Sequence, residues 1–258
     1  MSGAGTFPAE RSVVVTGAAS PRGIGRATAD RLAGDGWSVG IVDLDVDAAA
    51  ATAAEIAEAR GTQVVGVGAD VSDEDSVHAA FDVLEQALPP VVGLANLAGI
   101  SSPTEFMDET VEAWDRVFAV NMRGTFLVTQ RALRPMIERG VGRVVSVSSV
   151  SAQRGGGTYS KVAYSASKAA ILGFTRALAR EMGQHGITVN AVAPGPIDTD
   201  IMGGTLSEER KEALSADVLM GRVGTREEVA ALIAFLLSEE AGWITAATYD
   251  INGGLQIS

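Results

Sequence analysis

Short apolar runs alternate with longer helix-like stretches along the whole chain. The predicted strands are Val13–Val15, Ser38–Val42, Gln63–Val67, Val91–Asn96, Arg143–Val147, Ile187–Ala193 and Ala246–Ile251. The predicted helices are Gly23–Asp35, Asp47–Arg60, Asp73–Leu88, Val111–Glu138, Ala163–Gln184 and Arg226–Glu239. This alternation is typical of βαβ units. It predicts a single-domain α/β fold in which a doubly wound parallel sheet of about seven strands carries helices on both faces.

Two segments interrupt the alternation, Ser101–Thr110 and Ile197–Val223. They follow the fourth and sixth predicted strands, and ligands of such sheets bind at the carboxyl ends of strands. We therefore expect residues 197–223 to form a substrate lid, with a short mobile helix whose apolar side covers the substrate. The whole of 1–258, including this lid, is expected to be one dinucleotide-binding and catalytic domain, with residues 1–10 as a loose tail.

Composition and charge exclude several classes of function. The 258 residues carry a net charge of −12, which disfavours nucleic-acid binding because an acidic surface repels phosphates. The chain has no Cys and only two distant histidines, His78 and His185, so no metal site is expected. No apolar run is long enough to cross a membrane and no signal peptide is recognisable, so we expect no membrane partner and a cytoplasmic location.

A glycine-rich stretch, Gly17 to Gly25, follows the first predicted strand. Glycines there allow a tight turn and bring backbone N–H groups and a helix N-terminus close to a pyrophosphate. Asp43 ends the second strand, twenty residues after Gly23. In a Rossmann fold an acid near this position binds the ribose hydroxyls of NAD and repels the 2′-phosphate of NADP. Loop and acid together indicate a dinucleotide site.

Tyr164 and Lys168 lie four positions apart at the start of a predicted helix, and therefore on one face. A Tyr with a pKa near 10 is a poor base, and lowering that pKa to about 7 takes roughly 4 kcal/mol. A positive charge about 4 Å away supplies about that much at an effective dielectric constant near 20. The pair is thus a candidate acid/base. Tyr159 is not, because its i+4 residue is Ala163.

The full order of motifs resembles the short-chain dehydrogenase/reductase superfamily, from about Ser12 to Gly254. The order comprises TGxxx…GxG, a strand-ending Asp, NxAG, a mid-helix Asn, SS, YxxxK and PG. The resemblance implies four catalytic residues: Asn121, which holds a proton-relay water, Ser149, Tyr164 and Lys168. It implies that the cofactor is bound by Gly17, Arg22, Gly23, Ile24, Gly25, Asp43, Asp70, Val71, Asn96, Ala98, Gly99, Tyr164, Lys168, Pro194, Gly195, Ile197 and Thr199.

The chain departs from the family pattern at four places. The glycine-rich loop has five residues between Gly17 and Gly23 instead of three. Arg22 stands where many NADP-using relatives carry a basic residue, which opposes the preference inferred from Asp43. Leu97 replaces an Asn of the NNAG stretch. Ser149 lies fifteen residues before Tyr164 instead of thirteen, a spacing that Ser151 keeps. We favour Ser149 because strand register positions a side chain better than distance across a glycine-rich loop.

These residues predict an oxidoreductase that interconverts a secondary alcohol and a ketone. NAD is the expected cofactor, with NADP possible. A 3-oxoacyl-thioester reductase is the alternative, and a non-catalytic dinucleotide sensor a remote one. Relatives of this size usually form homotetramers, so we expect the same here. The pairing surfaces would be the helices from Val111 and Ala163 and the segment Trp243–Leu255.

Overall fold

The short apolar runs form one parallel sheet. The computed structural model describes residues 6–157, 160–202 and 204–257. The strands are β1 (Ser12–Thr16), β2 (Ser38–Asp43), β3 (Val64–Gly68), β4 (Val91–Asn96), β5 (Gly142–Val147), β6 (Ile187–Pro194) and β7 (Thr248–Ile251). Their order is β3-β2-β1-β4-β5-β6-β7, and all neighbours are parallel. The predicted α/β fold with a doubly wound parallel sheet is confirmed.

Helices cover both faces of this sheet. They are α1 (Ile24–Gly34), α2 (Val46–Arg60), α3 (Glu74–Ala87), α4 (Val111–Phe118), α5 (Gly124–Arg139), α6 (Ser151–Arg154), α7 (Val162–Met182), α8 (Glu208–Ser215) and α9 (Arg226–Leu237). Val13 and Val15 pack into a core built with α1, α2 and α9, whereas Val14 packs into a second core built with α3 and α5. Successive strand residues point to opposite faces, so a strand buried on both faces is apolar throughout.

Three element boundaries differ from the predictions. The predicted helix Val111–Glu138 is interrupted by a π-helical turn, Ala119–Arg123, between α4 and α5. The last strand begins at Thr248 rather than Ala246, because Ala246 has a φ of 61°, outside the extended region. The short helix α6 was not predicted, because four residues are too few to show a helical period.

The predicted lid segment, 197–223, contains a short 3₁₀ turn, Asp200–Met202, followed by helix α8. Leu206 is buried and Leu214 lines the main cavity, while Met220 is exposed. Gly203 lies outside the described residues. At the other end of the chain, the described part of the predicted tail is anchored by Phe7, whose ring packs edge-to-face on Trp37 with 5.6 Å between centroids.

Within the described ranges, no helix has the length and apolar character required to span a membrane.

Candidate active site

A cavity of about 710 Å³ opens at the carboxyl ends of the strands, where the chain leaves β1 and β4. These neighbours continue to opposite sides of the sheet, which is where ligands bind in doubly wound folds. Most predicted site residues line this cavity: Gly17, Gly23, Ile24, Gly25, Asp43, Asp70, Val71, Ala98, Gly99, Ser149, Tyr164, Lys168, Pro194, Gly195, Ile197 and Thr199. Arg22, Asn96 and Asn121 are not among the lining residues.

The glycine-rich loop forms a cradle in which side chains have no room. Gly17 has a φ of +67°, and a Cβ there would lie 2.7 Å from Ala98 Cα. A Cβ on Gly25 would lie only 2.2 Å from the carbonyl oxygen of Gly17. The N-cap of α1 is Gly23, no side chain caps this end, and no acid lies in the first turn. The bare N-terminus of α1 at the cavity therefore fits a diphosphate group.

Two acids line the far end of the same cavity. Asp43 ends β2, is half-buried, and accepts a hydrogen bond of 2.9 Å from the backbone N–H of Ala19. Asp70 follows β3 and accepts hydrogen bonds from the hydroxyl and the N–H of Ser72, which hold the pKa of its carboxyl below its usual value. This end of the cavity suits the adenosine half of a dinucleotide, whose hydroxyl and amino groups donate hydrogen bonds.

Arg22 points away from this end, toward the segment after β6. Its guanidinium contacts the carboxylate of Asp198 and the hydroxyl of Thr205, and its Nε lies 3.6 Å from Asp200 Oδ1. Ser20, in the same loop, donates a 2.7 Å hydrogen bond from its hydroxyl to Asp200 Oδ2. The lengthened loop is therefore bonded to the beginning of the lid segment.

Ser149 is positioned by an extension of the β5–β6 pairing. The N–H of Ser148 donates to the carbonyl of Val192 (2.8 Å), and that of Val150 to the carbonyl of Pro194 (2.9 Å). Between them, Ser149 reaches the cavity, where its hydroxyl forms a hydrogen bond with the phenol of Tyr164. Its own oxygen accepts the N–H of Ser151 (3.1 Å). Ser151 also lines the cavity, at the start of α6.

Tyr164 and Lys168 project from the first turns of α7, and both are buried, with 9% and 4% of their surfaces exposed. Lys168 Nζ donates to the carbonyl of Val147 (2.8 Å) and lies 5.8 Å from the centre of the Tyr164 ring. Burial raises the pKa of Tyr164, and the Ser149 hydrogen bond opposes this shift. The sequence predicts a lowered pKa for Tyr164 from the charge of Lys168 alone. Burial of the phenol shifts this pKa in the opposite direction.

Burial also lowers the pKa of Lys168 from 10.5 to about 8. In the unfolded chain this lysine regains a pKa near 10.4, so between these values the unfolded state holds a proton that the folded state releases. Lys168 therefore makes the free energy of unfolding rise with pH between about 8 and 10.4. Below about pH 8 the ammonium group is charged in both states, and its burial destabilises the folded protein to the full extent.

We expect Lys168→Met to raise the free energy of unfolding by about 1–3 kcal/mol at pH 7, because it removes a buried ammonium group. The gain should shrink as pH rises from 8 toward 10.5. Urea denaturation of both proteins at pH 7, 8.5 and 9.5 measures it. A stability difference that stays constant over this range would contradict the assignment of the shift to Lys168.

Asn121 lies in the π-helical turn and is fully buried. Its side-chain amide forms two hydrogen bonds with the backbone of Ile100: Oδ1 accepts from the Ile100 N–H (2.8 Å), and Nδ2 donates to the Ile100 carbonyl (3.0 Å). Nδ2 also donates to Ser167 Oγ (2.9 Å). A Cβ on Gly99 would lie 3.2 Å from Asn121 Oδ1 and 3.3 Å from Lys168 Nζ. The turn therefore brings Asn121 beside the lysine, and π turns often mark functional sites.

Asn96 has a different environment. It is buried at the end of β4, where its Nδ2 donates to Thr129 Oγ1 (2.9 Å) and Ser146 Oγ (3.2 Å). Tyr159, the Tyr judged unsuitable from sequence, lies outside the described residues. Over the described ranges no group of three or more His, Asp or Glu side chains is arranged to hold a metal ion.

Sequence reasoning did not identify several residues that line the cavity. Some of them are apolar, among them Ile100, Val150, Ile201 and Leu255, and others are serines, among them Ser101 and Ser160. These four apolar residues come from four separate segments, so no local spacing connects them. Only their position after strand ends could have indicated them. Near the glycine-rich loop, Ser20 and Asp200 were also missed.

The chain is similar to known oxidoreductases over nearly its whole length. A family described as enoyl-(acyl carrier protein) reductase matches residues 17–256. A 3-oxoacyl-[acyl-carrier-protein] reductase of Aquifex aeolicus is 42% identical over 242 residues, covering 94% of this chain and 96% of the relative. A short-chain type dehydrogenase/reductase of Sinorhizobium fredii is 40% identical over 247 residues, covering 96% and 98%.

A (3R)-3-hydroxyacyl-CoA dehydrogenase of Rattus norvegicus is 38% identical over 252 residues, covering 94% of this chain and 95% of the relative. Two of these relatives are named for reactions of a keto or hydroxyl group, one as a 3-oxoacyl-[acyl-carrier-protein] reductase and one as a 3-hydroxyacyl-CoA dehydrogenase. The chain therefore belongs to the short-chain dehydrogenase/reductase superfamily, and it is an oxidoreductase that acts on CH–OH or keto groups.

Proposed function

We propose that the protein interconverts secondary alcohols and ketones with NAD(H), using Tyr164 as the acid/base. One observation carries this proposal: Ser149, Tyr164 and Lys168 meet at one end of a cavity whose other end reaches Asp43. The bare N-terminus of α1 lies between these ends. The cavity thus offers one site for the hydroxyl or carbonyl group, one for a diphosphate and one for a ribose.

Each catalytic residue has a distinct task. In alcohol oxidation, Tyr164 takes the proton of the substrate hydroxyl, and Ser149 orients the substrate oxygen. A bound nicotinamide cofactor would supply the acceptor for the hydride of the carbinol carbon, and a positive charge on its ring would favour the phenolate form of Tyr164 against the effect of burial. Lys168 orients the nicotinamide ribose, and Asn121 holds a relay water beside Lys168. Reduction of a ketone follows the same path in reverse.

The choice of NAD rests on Asp43 and Arg22. The Asp43 carboxylate accepts hydrogen bonds from a ribose diol and repels a 2′-phosphate. Arg22 is the residue that could favour NADP, but its guanidinium is bound to Asp198 and lies close to Asp200. Its charge is therefore compensated by lid acids rather than offered to a phosphate at the ribose.

We expect Asp43→Ala to narrow the ratio of kcat/KM for NADH over NADPH by about tenfold, the effect of about 1.4 kcal/mol. Removing the carboxylate removes both the diol contact and the repulsion. Asp47→Ala is a matched control, because this exposed acid lies on α2 and should leave the ratio unchanged. An unmutated protein that prefers NADPH would refute the NAD assignment.

A second candidate, reduction of 3-oxoacyl thioesters, is favoured by the apolar side chains of Ile100, Val150 and Leu255 in the cavity wall and by the names of two relatives. Apolar side chains there suit a hydrocarbon chain as well as an alicyclic ring. A panel of secondary alcohols, ketones and a 3-oxoacyl-CoA, tested with NAD(H) and NADP(H) in parallel, separates the two candidates. Cofactor binding without any turnover would instead indicate a dinucleotide sensor.

We also propose a homotetrameric assembly and a lid function for residues 197–223. The assembly is supported by Trp243, which is 99% exposed, and by small exposed side chains on α7 such as Ala169 and Ala177. Small residues allow helices to approach closely. The lid function is supported by Leu214, which faces the cavity from α8.

A further inference from the structure

The carboxylate of Asp200 contacts the glycine-rich loop that precedes α1. Its Oδ2 accepts hydrogen bonds from the hydroxyl of Ser20 (2.7 Å) and from the backbone N–H of Arg22 (3.3 Å). Its Oδ1 is 3.6 Å from Arg22 Nε. Asp200 lines the same cavity as Ser20 and the loop glycines. One carboxylate thus engages a hydroxyl, a backbone N–H and a guanidinium, all from the loop that precedes α1.

These three donors are the kind that bind a phosphate oxygen at a helix N-terminus. The first turn of α1 contains no acid, and no side chain caps it. Asp200 reaches this region from more than 170 positions further along the chain, and it begins the 3₁₀ turn of the lid segment. An anion is therefore already bound to the loop before any cofactor phosphate arrives.

We propose that Asp200 is a resident anion of the diphosphate cradle, which the cofactor's diphosphate must displace. The inference rests on the proposed dinucleotide site. A carboxylate and a diphosphate cannot share Ser20 Oγ and the Arg22 N–H, and their like charges repel. Binding of the diphosphate therefore releases the 3₁₀ turn that Asp200 begins from the loop. Asp200 lowers cofactor affinity and couples the lid to occupancy of the phosphate site.

The neighbouring Asp198 has a separate task. Its carboxylate contacts the Arg22 guanidinium and lies 3.6 Å from Lys211 Nζ on α8. These ion pairs do not use the loop's backbone N–H groups. They keep the lid segment attached to the loop and to α8 when Asp200 is displaced, so the released part is short.

The test compares ADP, which carries a diphosphate, with adenosine, which carries none. We expect Asp200→Asn to bind ADP about tenfold more tightly than the unmutated protein, measured by calorimetry. Adenosine affinity should not change. Glu209→Gln is the matched control, because it removes one exposed acid of the same lid segment and should leave both affinities unchanged.

ADP affinity that is equal or weaker in Asp200→Asn would overturn the inference, because a purely structural anchor loosens the site when it is removed. A second measurement needs no variant. In the unmutated protein, ADP but not adenosine should speed amide hydrogen exchange in residues 198–202, and equal exchange with both ligands would also overturn it. A protein that binds neither ADP nor NADH would refute the proposed dinucleotide site itself, and the inference with it.

Discussion

Replacing Tyr164 with Phe is expected to lower turnover by about 10²–10⁴-fold, the usual contribution of a general acid or base. The substitution removes one oxygen and leaves the buried ring in place, so folding and cofactor binding should persist. The buried Ser149 hydroxyl loses its hydrogen-bond partner, which costs about 1–3 kcal/mol of stability. Steady-state kinetics with a good substrate, together with NADH titration and thermal unfolding, measure the three effects separately.

Tyr249→Phe is the matched control for this loss. Tyr249 lies in β7, packs against the first core and is not among the residues that line the cavity, so its hydroxyl should contribute nothing to turnover. Near-normal turnover in Tyr164→Phe would show that the proposed mechanism is wrong, even with fold and cofactor unchanged.

The pH profile of the unmutated enzyme gives an independent check on the same pair. Burial raises the pKa of Tyr164 and lowers that of Lys168 to about 8. Because Lys168 Nζ lies 5.8 Å from the centre of the Tyr164 ring, we expect the two groups to titrate as a coupled site. Alcohol oxidation needs the deprotonated phenol and should rise with pH through the apparent pKa of the pair. Ketone reduction needs the protonated phenol and should fall over the same range.

Gly25→Ala is expected to weaken dinucleotide binding by at least about tenfold, or roughly 1.4 kcal/mol. A Cβ there would lie 2.2 Å from the carbonyl oxygen of Gly17 and 2.9 Å from Ala18 Cα, both backbone atoms. The loop must move, at an overpacking cost of about 1–3 kcal/mol. This exceeds the gain of up to about 1 kcal/mol that Ala brings to a helix, so the protein should also lose stability.

Gly23→Ala separates the effect of the clash from the effect of losing a glycine. Gly23 has φ −74° and ψ 150°, which any residue adopts, and its Cβ would meet the Cβ and carbonyl oxygen of Ser20 at 3.2 Å. We therefore expect a smaller loss of affinity, measured by NADH fluorescence titration. Equal losses in the two variants would contradict the view that close packing of Gly25 on Gly17 shapes the cradle.

Features that depend on local residue patterns could be predicted from the sequence alone. The alternation of apolar runs and helical stretches determined the sheet and its layers, because burial on both faces requires a continuously apolar strand. Tyr164 and Lys168 could be paired because positions four apart share a helix face. The glycine-rich loop and Asp43 could be placed together because both follow strands that end at one edge of the sheet.

Contacts between distant segments of the chain could be identified only from the tertiary structure. Asn121 faces Ile100 and Lys168 because a π-helical turn, which has no sequence period of its own, rotates it inward. Arg22 is bound to Asp198, which lies 176 positions further along the chain. The positive charge of Arg22 is therefore compensated by an acid that no local spacing in the sequence connects with it. The pKa of Tyr164 moves upward because burial of the phenol, a property of the packed chain, outweighs the opposing hydrogen bond of Ser149.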